Sequence, residues 1–150
     1  MVLGPLRGQG AAAEGVLRAL PGWFGIESAI VEYADAAERL PTFAVRNGDA
    51  MVGFITLRPT SAAALEVHVM AVRQEWHRRR VGRALMERAA AYARAERFVL
   101  LHVKTLAPSD PDPGYAATRR FYEAMGFVPL EELPQLWGPE NPCLLMVLPL

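Results

Sequence analysis

Apolar positions recur along the chain with two periods, and the points where one period gives way to the other mark its elements. Ala11 to Ala19 and Glu27 to Arg39 have helical composition, and Pro21 and Gly22 separate them. Thr42 to Arg46 and Met51 to Leu57 flank Asn47-Gly48-Asp49, and Asn-Gly suits a tight turn with positive φ, so a hairpin is predicted. Leu65 to Val72 alternates: Leu65, Val67, Val69 and Ala71 fall on one face, Glu66, His68, Met70 and Val72 on the other. The first face reads as core and the second carries the ionisable groups. Val81 to Ala95 returns to helical spacing through Val81, Leu85 and Tyr92, with Gly82 near its start. Phe98 to Val103 is a short, nearly continuous apolar run, as in a central strand covered on both faces. Ala107 to Gly114 holds three prolines and reads as a long exposed connection without helix or central strand. Tyr115 to Met125 is helical with Gly126 as a left-handed cap, and Phe127 to Leu133 and Cys143 to Leu148 close the chain as strands. The order α, α, β, β, β, α, β, α, β, β predicts a mixed α/β sandwich.

Length and composition narrow the class. A chain of 150 residues is the size of one domain, so one core spanning residues 1–150 is expected. Hydrophobic residues make up 52%, against disorder, and no apolar run approaches the roughly 18 residues of a membrane-spanning helix. Sixteen Lys and Arg balance sixteen Asp and Glu, which argues against nucleic acid held by a general positive field. Cys143 is the only cysteine, which excludes an internal disulfide and a thiolate-rich zinc site and fits a reducing compartment. Met1 to Gly10 lacks the apolar core of a signal peptide, so a cytoplasmic location is expected.

One local feature stands against the balanced charge: Arg73, Arg78, Arg79, Arg80 and Arg83 fall within eleven residues. Arg79-Arg80-Val81-Gly82-Arg83-Ala84 opens a helix soon after a strand. First-turn N–H groups have no internal partners, and the helix dipole adds partial positive charge there. Gly82 and Ala84 leave the backbone accessible to a phosphate, and arginines add charge-assisted hydrogen bonds. A pyrophosphate suits such a site; the plainer alternative is a solvated arginine surface with Gly82 merely starting the helix.

Arg-x-x-Gly-x-Ala at Arg79 to Ala84, after a strand ending Met70-Ala71-Val72, resembles the coenzyme A motif of the GNAT superfamily of N-acetyltransferases. Phe121-Tyr122-Glu123-Ala124-Met125-Gly126-Phe127 is similar to that superfamily's second signature. The resemblance covers residues 65 to 128 most strongly. It implies a mixed central sheet of six to seven strands flanked by about four helices. The sheet would splay between two parallel central strands, Leu65 to Val72 and Phe98 to Val103, to admit the pantetheine arm of acetyl-coenzyme A. Met70, Ala71 and Val72 would offer backbone groups to that arm, an amide near Met70 would face the thioester oxygen, and Arg79, Arg80, Val81, Gly82, Arg83 and Ala84 would hold the diphosphate.

The resemblance also implies roles in catalysis. An amine acceptor of pKa near 10.4 is mostly protonated at pH 7, so a base or a water leading to one is needed. Glu66 matches the position of a catalytic glutamate in several family members and is the first candidate; His68, on the same strand face, is the second. Tyr122 matches the tyrosine that protonates the leaving thiolate. Two departures stand out. Arg80 occupies a position that is often Gly in the family, and Tyr115 replaces an Asn seven residues before the tyrosine, where a side chain bonds the cofactor arm. The acceptor site would be walled by the Ile26 to Arg39 helix, by the Pro-rich loop with Asp110 and Asp112, and by Leu136 to Cys143 with Trp137, Glu140 and Asn141.

The expected function is transfer of an acetyl group from acetyl-coenzyme A to a primary amine of a small molecule or peptide, without metal, nucleic acid or membrane, and with pairing into a homodimer as a family habit. The alternative is a catalytically silent acyl-coenzyme A binding module acting through a protein partner. Glu66 and Tyr122 together favour the enzyme, since a binder needs neither.

Overall fold

The computed structural model describes residues 1–150, which form seven strands and four α-helices. They are β1 (Val2–Leu6), α1 (Gly10–Arg18), α2 (Glu27–Arg39), β2 (Thr42–Asn47), β3 (Ala50–Pro59), β4 (Ala64–Val72), α3 (Val81–Ala95), β5 (Leu100–Leu106), α4 (Pro113–Ala124), β6 (Val128–Leu133) and β7 (Cys143–Pro149). The strands make one mixed sheet in the order β1-β2-β3-β4-β5-β7-β6, in which β4 and β5 are the parallel pair. The chain divides into two compact units, Met1–Arg58 with Val67–Tyr92, and Pro59–Glu66 with Ala93–Leu150. The division falls inside β4, between Glu66 and Val67.

In the first unit, β2 and β3 pair antiparallel around the two-residue turn Gly48-Asp49; Gly48 has the expected positive φ, 63°, while Asn47, read from the sequence as part of the turn, is the last residue of β2 and pairs with Ala50. Adjacent residues of β2 face opposite ways. Ala44 joins a buried cluster with Ala13, Val16 and Leu17 of α1 and Ile30 and Ala37 of α2. Phe43 instead meets Tyr92 and Arg88 of α3, at 5.4 Å between ring centroids and 4.8 Å from guanidinium carbon to ring. The sheet here is covered on both faces, which is why Met51 to Leu57 is buried without interruption instead of alternating. Each large apolar side chain so enclosed contributes roughly 1.5–3 kcal/mol. β1 was not expected from the sequence: Gly4 and Pro5 obscure its pattern, and Pro is tolerated because β1 lies at the sheet edge.

In the second unit, β7 runs antiparallel between β5 and β6, pairing Leu101 with Leu148 and Val128 with Val147. The expectation that the Pro-rich stretch excludes helix is corrected at its end. Asp112 caps α4 by accepting from the Gly114 amide at 2.8 Å, and Pro113 is the first helical residue, where its missing N–H costs nothing. Gly126, at φ 101°, ends α4, and the Phe127 amide returns to the Tyr122 carbonyl at 3.0 Å.

Candidate active site

After β4 the chain is tied back to β3. The Arg73 amide donates to the Val52 carbonyl and the Arg73 Nε to the Met51 carbonyl, both at 2.8 Å, so this arginine holds the fold and is not part of a free cationic patch. Gln74–Trp76 forms one 3-10 turn. His77 Nε2 then lies 2.7 Å from the Val72 carbonyl oxygen. Arg78 and Arg80 both adopt left-handed backbone, φ 62° and 64°, on either side of Arg79. Alternation of this kind turns successive N–H groups toward one side and makes an anion-binding concavity. A left-handed conformation costs a residue with a β-carbon roughly 1–2 kcal/mol, and strain of this sort is concentrated at functional sites.

The first helical hydrogen bond of α3 runs from the Ala84 amide to the Arg80 carbonyl, 3.0 Å, so the amides of Val81, Gly82 and Arg83 open the helix without an intrahelical acceptor. An open depression of about 310 Å³ lies against this end, lined by Arg80, Arg83, Ala84 and Glu87. Arg83 is 3.5 Å from Glu87, and the Arg79 guanidinium stacks 5.0 Å from the Trp76 ring centroid. Arg80, Arg83 and Ala84 thus line a depression at the end of α3 whose first amides lack intrahelical acceptors, a setting that suits an anion.

Gly53 of β3 brings this corner together. A β-carbon there would stand 3.2 Å from the Ala71 carbonyl oxygen, a Val72 methyl and a Val81 methyl. Any side chain there would make β3, the end of β4 or the start of α3 give way by a few tenths of an ångström. On β4, Ala71 is buried while Met70 and Val72 are half-buried, as the alternation predicts. His68 shares their face. Its Nε2 is 3.8 Å from Glu32 Oε1, and its ring meets that of Tyr33 edge-on at 5.3 Å.

In the second unit, Glu66, on the strand face that carries the ionisable groups, is 4% exposed, and Lys104 Nζ of β5 donates to its Oε2 at 2.6 Å. A buried carboxylate without such a cation would be costly, which is why the two occur together. Cys143 of β7 is buried and feels the charges of this pair. Burial pushes its thiol up, Lys104 opposing and Glu66 adding to the effect. Tyr122 is 6% exposed between Phe121 and Phe127, with centroid distances of 5.6 and 5.5 Å. Tyr115, one helical face along, has its phenol pushed up by burial and then by Asp112 and Asp110.

The profile of the acetyltransferase (GNAT) domain matches residues 38–129. The chain belongs to the GNAT family of acetyltransferases. It is therefore an acyltransferase. Solved structures agree in fold. A GNAT-family protein from Desulfovibrio desulfuricans superposes with a TM-score of 0.81 at 21% identity, over 99% of this chain and 98% of its own. An aminoglycoside 6'-N-acetyltransferase complexed with coenzyme A gives 0.77 at 17% identity, over 98% and 95%. The ribosomal-protein-S18-alanine N-acetyltransferase from Escherichia coli gives 0.76 at 19%, over 99% and 92%. No curated protein matches the chain. No helix of this GNAT chain is long and apolar enough to cross a membrane.

The family motif led to Arg79–Ala84, Glu66 and Tyr122 but not to Lys104, Glu32, His77 or Gly53. Lys104 had a signal: a charged residue interrupting the apolar Leu100–Leu106 run implies a buried partner of opposite sign. Glu32, one of several carboxylates along α2, had none.

Proposed function

We propose that this protein, as one domain of residues 1–150, moves the acetyl group of acetyl-coenzyme A to a primary amine by direct attack in a ternary complex. The single observation that carries the reading is the Arg78–Arg80 loop. Two arginines accept left-handed backbone immediately before three open amides of α3, and a diphosphate is the ligand that repays that strain. Arg79, Arg80, Val81, Gly82, Arg83 and Ala84 hold the diphosphate, and Met70, Ala71 and Val72 offer backbone groups to the pantetheine amides. Tyr115 replaces the usual Asn beside that arm. Coenzyme A in one structural neighbour and acetyl-coenzyme A in another support the choice of donor.

The amine lone pair attacks the thioester carbonyl, an amide near Met70 takes the developing oxyanion, and the C–S bond breaks as the C–N bond completes. Glu66 takes the amine proton and Tyr122 gives its phenolic proton to the thiolate. His68, backed by Glu32, is the second candidate for the base. Acceptors named for the neighbours, an aminoglycoside and a protein alanine, both present a primary amine.

Thiol release from acetyl-coenzyme A over a panel of amines, for wild type, Glu66→Gln and Tyr122→Phe, tests the reading. Turnover in the wild type that falls at least a hundredfold in each variant supports it. Three equally inert proteins that still bind coenzyme A would reduce the chain to a binding module.

A further inference from the structure

Lys104 lies outside both family signatures, yet it supplies a cation to the one carboxylate of β4, the buried Glu66. The geometry is specific: Nζ reaches one oxygen, Oε2, at 2.6 Å, from a side chain that is itself 26% exposed. The base proposed above must be held in one rotamer and ionised while nearly excluded from water, and a bare buried carboxylate is neither. We infer that Lys104 is a positioning residue for catalysis, which fixes the Glu66 carboxylate and keeps it ionised as the proton acceptor for the amine. The inference rests on the reading of Glu66 as base.

Groups from two neighbouring strands face Glu66. Lys104 comes from β5 and the Cys143 thiol from β7, while His68 stands two residues on along β4 itself. Cys143 is neutral when Glu66 works, because burial, its main influence, favours the thiol. Lys104 is the cation in direct contact with the carboxylate, 2.6 Å from Oε2. A cation in contact favours the ionised form, so removing it should move the acid limb of the rate profile to higher pH by about one pH unit or more. The pair also carries a chemical consequence for the substrate: a fixed ammonium beside the base disfavours a protonated acceptor there and favours the neutral, reactive amine.

The experiment is the pH dependence of kcat/KM for Lys104→Met, Lys104→Gln, Lys104→Arg and Glu66→Gln, each checked for circular dichroism and for coenzyme A binding. Lys104→Met and Lys104→Gln should lower kcat at pH 7 about tenfold or more and raise the acid limb, with coenzyme A affinity unchanged. Lys104→Arg should return the limb to its wild-type position. Lys104→Gln retains a hydrogen-bond donor for Glu66, so it reports on charge even if Lys104→Met fails to fold. Adding Lys104→Gln to Glu66→Gln should cost nothing further, because the group it acts through is gone. A limb that stays in place in Lys104→Gln, while Glu66→Gln abolishes it, would overturn the role of Lys104 alone. A Glu66→Gln enzyme with full activity and an intact limb would overturn the base assignment and this inference with it.

Discussion

Arg80 spends conformational energy that a glycine would not. Its φ of 64° is the one a β-carbon resists, and the family's frequent Gly at this position is the unstrained solution. Arg80→Gly should therefore raise stability, by about 1 kcal/mol read from the denaturant midpoint, although glycine also loosens the unfolded chain. Coenzyme A affinity should fall severalfold, more at low salt than at high, because a guanidinium is lost while the amides remain. A destabilised variant would mean that the side chain, and not the ligand, holds the loop in its strained form. Tyr115 supplies a second test at this scale. Its phenol titrates above the usual value in the fold, so the neutral form is the one the fold prefers. The contribution to stability is full below the ordinary tyrosine value of about 10 and is lost as pH rises through the folded one. Tyr115→Phe should match wild type in its pH dependence near neutrality and lose less stability above about pH 10, as followed by chemical denaturation.

Elements, more than single residues, set where those groups stand, and Gly53 is the sharpest case. Gly53→Val would push a branched side chain against the Ala71 carbonyl and the Val81 methyl at the start of α3. We expect a loss of about 1–3 kcal/mol in unfolding free energy and weaker coenzyme A binding together, by denaturation and calorimetry. Unchanged affinity would show that the α3 end is positioned by something else. Periodicity and caps made most of these elements legible: α2 and α3 begin and end at the expected residues, and β4 leaves His68, Met70 and Val72 half-buried on the anticipated face. The reading failed where a residue has two meanings. Pro113 reads as a helix breaker in a proline-rich stretch but starts α4 once Asp112 caps it. Gly4-Pro5 masks β1, and an ionisable group on a strand face reads as exposed until its partner is known. Glu66 and Lys104 are 38 residues apart, and nothing in either strand alone names the other. Likewise the left-handed φ values of Arg78 and Arg80 follow from the turn that joins β4 to α3, against the preference of both residues.

For the whole chain, sixteen cationic side chains cancel sixteen anionic ones, so attraction of a polyanion has to arise from the local loop and not from a general field. A ligand that binds only the native state stabilises it by RT ln(1 + [L]/Kd), about 2.7 kcal/mol at a hundredfold excess over Kd. For a chain of about this size each kcal/mol moves the unfolding midpoint by roughly 2–4 °C, so acetyl-coenzyme A should raise it by about 5–11 °C. The contributions of the two ends of the ligand can be separated. Pantetheine, which lacks the diphosphate, should give little shift at the same concentration, whereas coenzyme A without the acetyl group should keep most of it. Raising salt should shrink the shift, since part of it is guanidinium–phosphate attraction, but the amides of Val81, Gly82 and Arg83 are fixed dipoles at close range and should preserve a remainder. Duplex DNA meets the same arginines without a site shaped for one diphosphate and should leave the midpoint unmoved at moderate salt. If DNA protected the chain and coenzyme A did not, the arginines would be serving nucleic acid, and the strain at Arg78 and Arg80 would need a different ligand to explain it.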